Sequence, residues 1–187
     1  MVIKPMFSYV RALLAEVLRE GDVAVDGTVG KGHDTLFLAQ SVGDTGRVYG
    51  FDIQEEALAA ARTRVEEAGV AERVVFFQES HERMREFVAG PVQAAMFNLG
   101  YLPGGDPSVV TTTGSTLPAL EAALELLAPG GILTIMLYRG HEEGEAESEA
   151  VLEWAHALDT RRCHVLLYRF WNQKNSPPLL LAIEKRR

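Results

Sequence analysis

The chain has 187 residues, 47% of them hydrophobic, with a formal net charge of −8. That length suits one compact domain, which buries roughly 70% of its unfolded surface and needs no covalent staples. A single cysteine, Cys163, excludes an internal disulfide framework and a multi-cysteine metal site, and it fits a reducing cytoplasm.

The acidic balance argues against a protein that coats nucleic acid nonspecifically, because phosphate neutralisation supplies most of that affinity. It leaves room for a local basic face. Candidates are Lys4 with Arg11, Arg161 with Arg162, Arg169 with Lys174, and the Lys185-Arg186-Arg187 tail. Each of these could equally be scattered, solvated charge.

Met1 to Pro5 leads into an amphipathic stretch carrying Arg11, Glu16, Arg19 and Glu20, without the uninterrupted apolar run of a signal peptide. No apolar run reaches the ~20 residues of a membrane span. Val23-Ala24-Val25 reads as a buried strand closed by the Gly-rich segment Asp26 to Gly32, and Asp34 to Gln40 as a helix. Arg47 to Phe51 is strand-like, and Gln54 to Ala68 is an alanine-rich helix free of breakers until Gly69. Next come a strand over Arg73 to Phe77, a Ser80-capped helix to Val88, and a strand over Val92 to Leu99. The following helix carries Pro118 near its first turn and takes Pro129-Gly130-Gly131 as its stop. Ile132 to Tyr138 is a strand and Glu145 to Leu158 an amphipathic helix. Cys163 to Phe170 and Leu179 to Glu184 are strands joined by Trp171 to Pro178, with no helix between them.

Strands alternating with helices imply a parallel sheet covered on both faces. The last connection is too short for a crossover, so its two strands must pair antiparallel. The predicted class is α/β and Rossmann-like: a mostly parallel seven-stranded sheet, helices on both faces, and a C-terminal antiparallel hairpin. That ending distinguishes methyltransferase sheets from ordinary dinucleotide folds. No repeat or linker divides the chain, so residues 1–187 are read as a single domain.

The segment Asp26-Gly27-Thr28-Val29-Gly30-Lys31-Gly32-His33-Asp34-Thr35 follows a strand and opens a helix. Its glycines let the backbone turn tightly against a ligand. Asp52 ends the next strand, where a carboxylate can accept from both ribose hydroxyls. Such a site would serve NAD or S-adenosylmethionine. Thr35 stands where the dinucleotide fingerprint has a third glycine or alanine, and Asp26 and Asp34 set carboxylates where a pyrophosphate would lie. The sulfonium and ammonium of S-adenosylmethionine are better served there. Glu79-Ser80-His81, after the third strand, is a third candidate contact, where adenine commonly docks. Plainer readings stay open: Asp26 and Asp34 as loop or cap residues, Ser80 as a helix N-cap, His33 and His81 as surface histidines.

Reactive centres of open α/β sheets lie beyond the carboxyl ends of the central strands. There the fourth strand ends in Asn98-Leu99-Gly100-Tyr101-Leu102-Pro103-Gly104-Gly105-Asp106. Asn98, Tyr101 and Asp106 are the catalytic candidates. An Asn oxygen can orient an amine and Tyr101 can stack on a base, as at the Asn/Asp-Pro-Pro-Tyr corner of enzymes that methylate nucleobase amino groups. A structural turn with Tyr101 simply packed is the alternative. Methylating a pyrimidine carbon normally needs a cysteine nucleophile, and Cys163 at the start of a late strand reads as core, so nitrogen or oxygen acceptors are favoured. The segments Tyr138 to Gly144 and Trp171 to Pro178, the latter amide-rich with Asn172, Gln173 and Asn175, are either functional or dimer and turn elements.

Over nearly the whole chain these motifs resemble a family of small bacterial proteins described as rRNA methylases. That family is connected with converting 5-aminomethyl-2-thiouridine at the tRNA wobble position to its methylaminomethyl form. The marks are Asp26 to Thr35, Phe51-Asp52-Ile53-Gln54, Ser80-His81, Asn98 to Asp106, Gly140 to Gly144, and Asn172-Gln173 with Asn175, Pro177 and Pro178. The resemblance implies S-adenosylmethionine as cofactor, an exocyclic primary amine on tRNA as acceptor, and a homodimer. It implies cofactor contacts from the glycine loop, Asp52, Gln54, Ser80 and His81. Together with the reading of the residues, the expected cofactor set is Asp26, Gly27, Thr28, Gly30, Lys31, Gly32, His33, Asp34, Asp52, Ile53, Gln54, Ser80, His81 and Asn98, and no metal is expected. Lys31 departs from the asparagine expected in relatives, and a lysine beside a sulfonium is unfavourable unless it points outward. The alternatives are an rRNA or small-molecule amine methyltransferase, an NAD-dependent oxidoreductase, and a non-catalytic cofactor-binding protein.

Overall fold

Seven strands build one sheet: β1 (Val23–Asp26), β2 (Arg47–Phe51), β3 (Val74–Phe77), β4 (Val92–Leu99), β5 (Leu127–Leu137), β6 (Cys163–Tyr168) and β7 (Leu179–Lys185). Their order is β3-β2-β1-β4-β5-β7-β6. The first five pair in parallel, and β7 runs antiparallel between β5 and β6. The predicted class and its antiparallel ending are therefore both present. The structure, a computed structural model, describes residues 2–100, 111–140, 142–174 and 177–187.

Successive strand residues point to opposite faces, and the core follows that alternation. Val25, Ala95, Phe97, Leu133 and Ile135 pack with Leu120 and Ala123 of α5 (Thr113–Leu126) and Val151 and Ala155 of α6 (Glu142–His156). Their neighbours Ala24, Ala94, Met96, Met136 and Leu180 pack on the other face. There they meet Val10 and Leu14 of α1 (Met6–Val17), Leu38 of α2 (His33–Ser41) and Val65 of α3 (Glu55–Glu67). Cys163 is buried in the first of these layers, and burial pushes its thiol pKa up.

Several element boundaries differ from the predicted ones. Pro118 lies inside α5 rather than in its first turn. The helix stops at Leu126 because Leu127 turns extended and pairs with Val92, so Pro129-Gly130-Gly131 falls within β5. The register there jumps from Val92↔Leu127 to Ala94↔Ile132, and Gly130 takes the φ of 82° that the excursion needs. Ser80 makes no capping hydrogen bond; a 3-10 turn over His81–Arg83 precedes the short α4 (Met84–Phe87).

Some charged groups considered for an RNA face are used by the fold. The Lys185 ammonium donates to the carbonyls of Leu124, Glu125 and Leu127, closing the carbonyl-rich end of α5. Arg186 donates to the Thr160 carbonyl, and Arg161 pairs with Asp159. Among the described residues no helix is long and apolar enough to cross a membrane. Among them no cluster of His, Cys, Asp and Glu is placed to hold a metal ion.

Candidate active site

The strand order reverses between β1 and β4, which opens a crevice beyond their carboxyl ends. A cavity of about 740 Å³ lies there, inside the size range of small-molecule sites. Its wall includes the backbone from Gly27 to Lys31, His33 and Asp34 after β1, Asp52 to Gln54 after β2, and Glu79 to His81 after β3. Asn98 and Leu99 at the end of β4, Gly100 after it, Phe7, Ser8 and Arg11 of α1, and Thr111, Ser115 and Tyr138 complete it.

Asp26 sits beneath the glycine loop, wholly buried. Its Oδ1 accepts the Thr28 N–H at 3.1 Å and its Oδ2 the Thr35 hydroxyl at 2.6 Å. Burial, helped by repulsion from Asp34, pushes its pKa up to about 7 against those two hydrogen bonds. From the unfolded value of 3.8 up to about 7, the unfolded chain releases a proton that the folded chain keeps, so stability falls as pH rises through that window. Asp26→Asn, a mimic of the protonated side chain, removes that slope. Its Tm advantage over the wild type should grow by about 3 °C or more between about pH 5 and pH 7.5. His81, whose pKa burial lowers, has the opposite slope, losing stability as pH falls below the unfolded value. It is common to both proteins and cancels in the difference. A flat difference would mean that folded Asp26 is ionised throughout.

Two glycines of the loop are demanded by packing. A Cβ on Gly27 would stand 2.3 Å from the Phe97 ring. Gly32 has φ +75°, and a Cβ there would stand 2.7 Å from the Ala61 Cα of α3. Left-handed backbone costs a non-glycine ~1–2 kcal/mol and overpacking a further ~1–3 kcal/mol. Gly32→Ala is thus expected to lower Tm by about 5 °C or more in a thermal melt; an unchanged Tm would mean that α2 and α3 part at no cost. Gly32, like Asp26, supports the loop from below rather than forming the cavity wall.

Asp52 ties the second loop to the first. Its Oδ2 accepts the Gly30 N–H at 2.9 Å and its Oδ1 the Gln54 N–H at 3.0 Å. Ile53, 54% exposed, lines the same wall. His81 is buried, not a surface histidine, whereas His33 is exposed. His81 Nδ1 lies 3.0 Å from the Gly27 carbonyl, which only accepts, so Nδ1 carries the proton and Nε2 the lone pair. The Lys31 side chain is exposed, and its carbonyl accepts from Arg64 Nε.

Asn98 is held at two points. Its backbone N–H donates to the Thr28 hydroxyl at 2.7 Å, and its side-chain Nδ2 donates to Asp34 Oδ2 at 2.9 Å. A carboxylate only accepts, so the amide is oriented with its carbonyl oxygen, Oδ1, away from Asp34. Arg11 lies 4.0 Å from the other Asp34 oxygen. Tyr101 and Asp106, the other catalytic candidates, lie outside the described residues, as do His141 and Asn175. Tyr138 lines the cavity, and burial raises its pKa, keeping the phenol protonated. The side chain of Trp171 is instead 81% exposed, stacked under the Arg169 guanidinium.

Gly100 and Thr111 are joined to each other and to α6 by groups that no sequence motif marked. The Gly100 N–H donates to the Thr111 hydroxyl at 2.8 Å, and the Thr111 N–H donates to the Gly100 carbonyl at 3.0 Å. Buried Glu147 of α6 accepts from the hydroxyls of Thr111 at 2.7 Å and Thr116 at 2.6 Å. Glu147 reads in sequence as one more acid of an amphipathic helix; a burial-facing position was its only signal.

Comparison with known proteins decides the family. The family model described as "Putative rRNA methylase" matches residues 48–184. The chain belongs to that family. The methyltransferase is 34% identical over 180 residues to a chloroplastic tRNA (mnm(5)s(2)U34)-methyltransferase of Arabidopsis thaliana, a match spanning 91% of this chain and 66% of that protein. A crystal structure described as a putative rRNA-methylase from Clostridium thermocellum has a TM-score of 0.97 and 42% identity, covering 99% of this chain and all of that one. A second, a methyltransferase from Streptococcus mutans in complex with SAH, has a TM-score of 0.91 and 39% identity, covering 98% and 99%. This chain is thus a methyltransferase that uses S-adenosylmethionine. The wall fits that cofactor: Asp34 and Asp52 set carboxylates beside the cavity, which suit a sulfonium, an ammonium and a ribose diol and oppose a pyrophosphate, while the Glu79 carboxylate is paired with Arg83.

Proposed function

We propose that this methyltransferase N-methylates an exocyclic primary amine on RNA, the aminomethyl group of a modified wobble uridine in tRNA. The observation that carries this reading is the Asn98 amide, locked by Asp34 at the carboxyl end of β4 with Oδ1 turned away from the carboxylate. The similarity to the Arabidopsis thaliana enzyme supports the tRNA substrate.

The bound cofactor supplies an electrophilic methyl group on a sulfonium. Asp52 accepts from the ribose hydroxyls, while Gly27 to Lys31, His33 and Asp34, Ile53 and Gln54, Ser80 and His81 form the remaining cofactor wall. Asn98 Oδ1 accepts an N–H of the neutral amine and aims the nitrogen lone pair at the methyl carbon. Transfer would form the N–C bond as the S–C bond breaks, with S-adenosylhomocysteine as the leaving group and the extra proton passing from the nitrogen to solvent. Tyr101 and Asp106 complete the acceptor side in this proposal. Cys163, buried and not part of the cavity wall, offers no nucleophile for ring-carbon methylation, which favours an amine.

The proposal extends to a single domain over residues 1–187 and to a homodimer in a reducing cytoplasm. The apolar edge strand β6, where Val165, Leu166 and Leu167 are each at least 40% exposed, is the face such a dimer would cover. The deciding experiment transfers labelled methyl groups to bulk tRNA and rRNA from cells lacking the protein, followed by nucleoside mass spectrometry. Label in a methylaminomethyl-uridine of tRNA is expected. Label elsewhere in RNA would discard the wobble substrate, and none in either RNA would discard an RNA acceptor.

A further inference from the structure

The cavity is larger than its cofactor wall. Over β4 and β5 it is bounded by Phe7, Ser8 and Arg11 of α1, with Ser115 and Tyr138, none of them on a loop that serves the cofactor. Val10 and Leu14 fix α1 to the sheet, with Met6, Tyr9, Leu13 and Val17 packed beside them. Phe7 belongs to no core layer and keeps 54% of its surface exposed, yet it lines the cavity. Arg11 follows one turn later on the same helix face. Its guanidinium lies over the Phe37 ring and 4.0 Å from Asp34 Oδ1, whose partner oxygen holds Asn98. α1 is thus coupled directly to the corner that would hold the amine.

An exposed phenylalanine on a cavity wall is a surface on which a planar base can stack, worth ~1–3 kcal/mol per base. The wall is otherwise rich in carboxylates, which would repel a phosphate; Arg11 and Lys31 are its lysine and arginine groups. We propose that the first turns of α1 form the acceptor platform: Phe7 stacks on the nucleobase bearing the amine, and Arg11 neutralises the phosphate beside it. The inference rests on the RNA reading above and names the residues that would grip that substrate.

The test uses the full chain, tRNA from cells lacking the protein, and labelled S-adenosylmethionine. Phe7→Ala should raise the KM for tRNA about 10–100-fold, with kcat within about threefold and the Kd for S-adenosylhomocysteine within about twofold, both by the split of uniform binding from chemistry. Phe7→Leu should behave like Phe7→Ala, and Phe7→Trp should stay near the wild type. Arg11→Gln should lower the slope of log Kd for tRNA against log salt by about one. An unchanged KM in Phe7→Ala, a parallel rise in the S-adenosylhomocysteine Kd, or a Phe7→Leu variant matching the wild type would overturn the platform. Wild-type protein that labels no RNA would overturn the RNA reading and this inference together. Wild-type labelling with an indifferent Phe7→Ala overturns this inference alone.

Discussion

Asn98→Ala is expected to lower kcat ~100-fold, the scale of effect that follows when a reacting group loses its positioning, with S-adenosylhomocysteine binding within about threefold of the wild type. Alanine keeps the backbone N–H that reaches Thr28, so the strand end stays in place. What goes is the Oδ1 acceptor and the Nδ2 bond to Asp34. Single-turnover methyl transfer with saturating cofactor reads the chemical step directly. Asn98→Asp should be no rescue: it sets a second carboxylate about 3 Å from Asp34, and like charges that close share one proton. If Asn98→Ala transfers methyl groups at the wild-type rate, the amine is oriented by something else.

Asp52→Ala should weaken S-adenosylhomocysteine binding ~100-fold or more, because two hydrogen bonds to a charged acceptor contribute about 1.5–3 kcal/mol each. The loss has a second source. Asp52 accepts the N–H groups of Gly30 and Gln54, and alanine leaves both without their acceptor, loosening the two loops that shape the cofactor wall. Asp52→Asn separates the contributions, since its carbonyl oxygen still accepts while the charge and one acceptor are gone; it should fall between the two. Calorimetric titration with S-adenosylhomocysteine checks both variants. A Kd within about threefold of the wild type for Asp52→Ala would remove Asp52 from the ribose site.

Much of the fold and many of the residues that line the cavity were legible in linear order, because their information is local. Strand runs such as Arg47 to Phe51 and Val92 to Leu99 coincide with β2 and β4, since apolar residues predominate in them and most of their positions are buried. The loops after β1, β2 and β3 follow directly from strand ends, and all strands of a parallel sheet present those ends on one side. The Trp171 to Pro178 connection forced antiparallel pairing by its length alone.

Contacts between distant segments were decided by tertiary structure. That β7 inserts between β5 and β6 depends on which sheet edge is free, and α5 ends at Leu126 because Leu127 finds Val92 across the sheet, overriding the stop that Pro129-Gly130-Gly131 suggests. Asp34 reads in the chain as a loop carboxylate; only the meeting of α2 with β4 makes it the clamp on Asn98. Arg11 reads in the chain as part of a candidate basic face with Lys4, and Phe7 carries no signal; the docking of α1 across the sheet turns both toward the cavity. By itself the sequence determined the strand–helix alternation, the antiparallel ending and the residue types at each strand end, because these depend on neighbours in the chain. Tertiary structure alone decided which of those residues lie beneath the cavity, which face it and which partner holds Asn98, because hydrogen bonds and packing across the sheet join segments whose separation in sequence carries no signal.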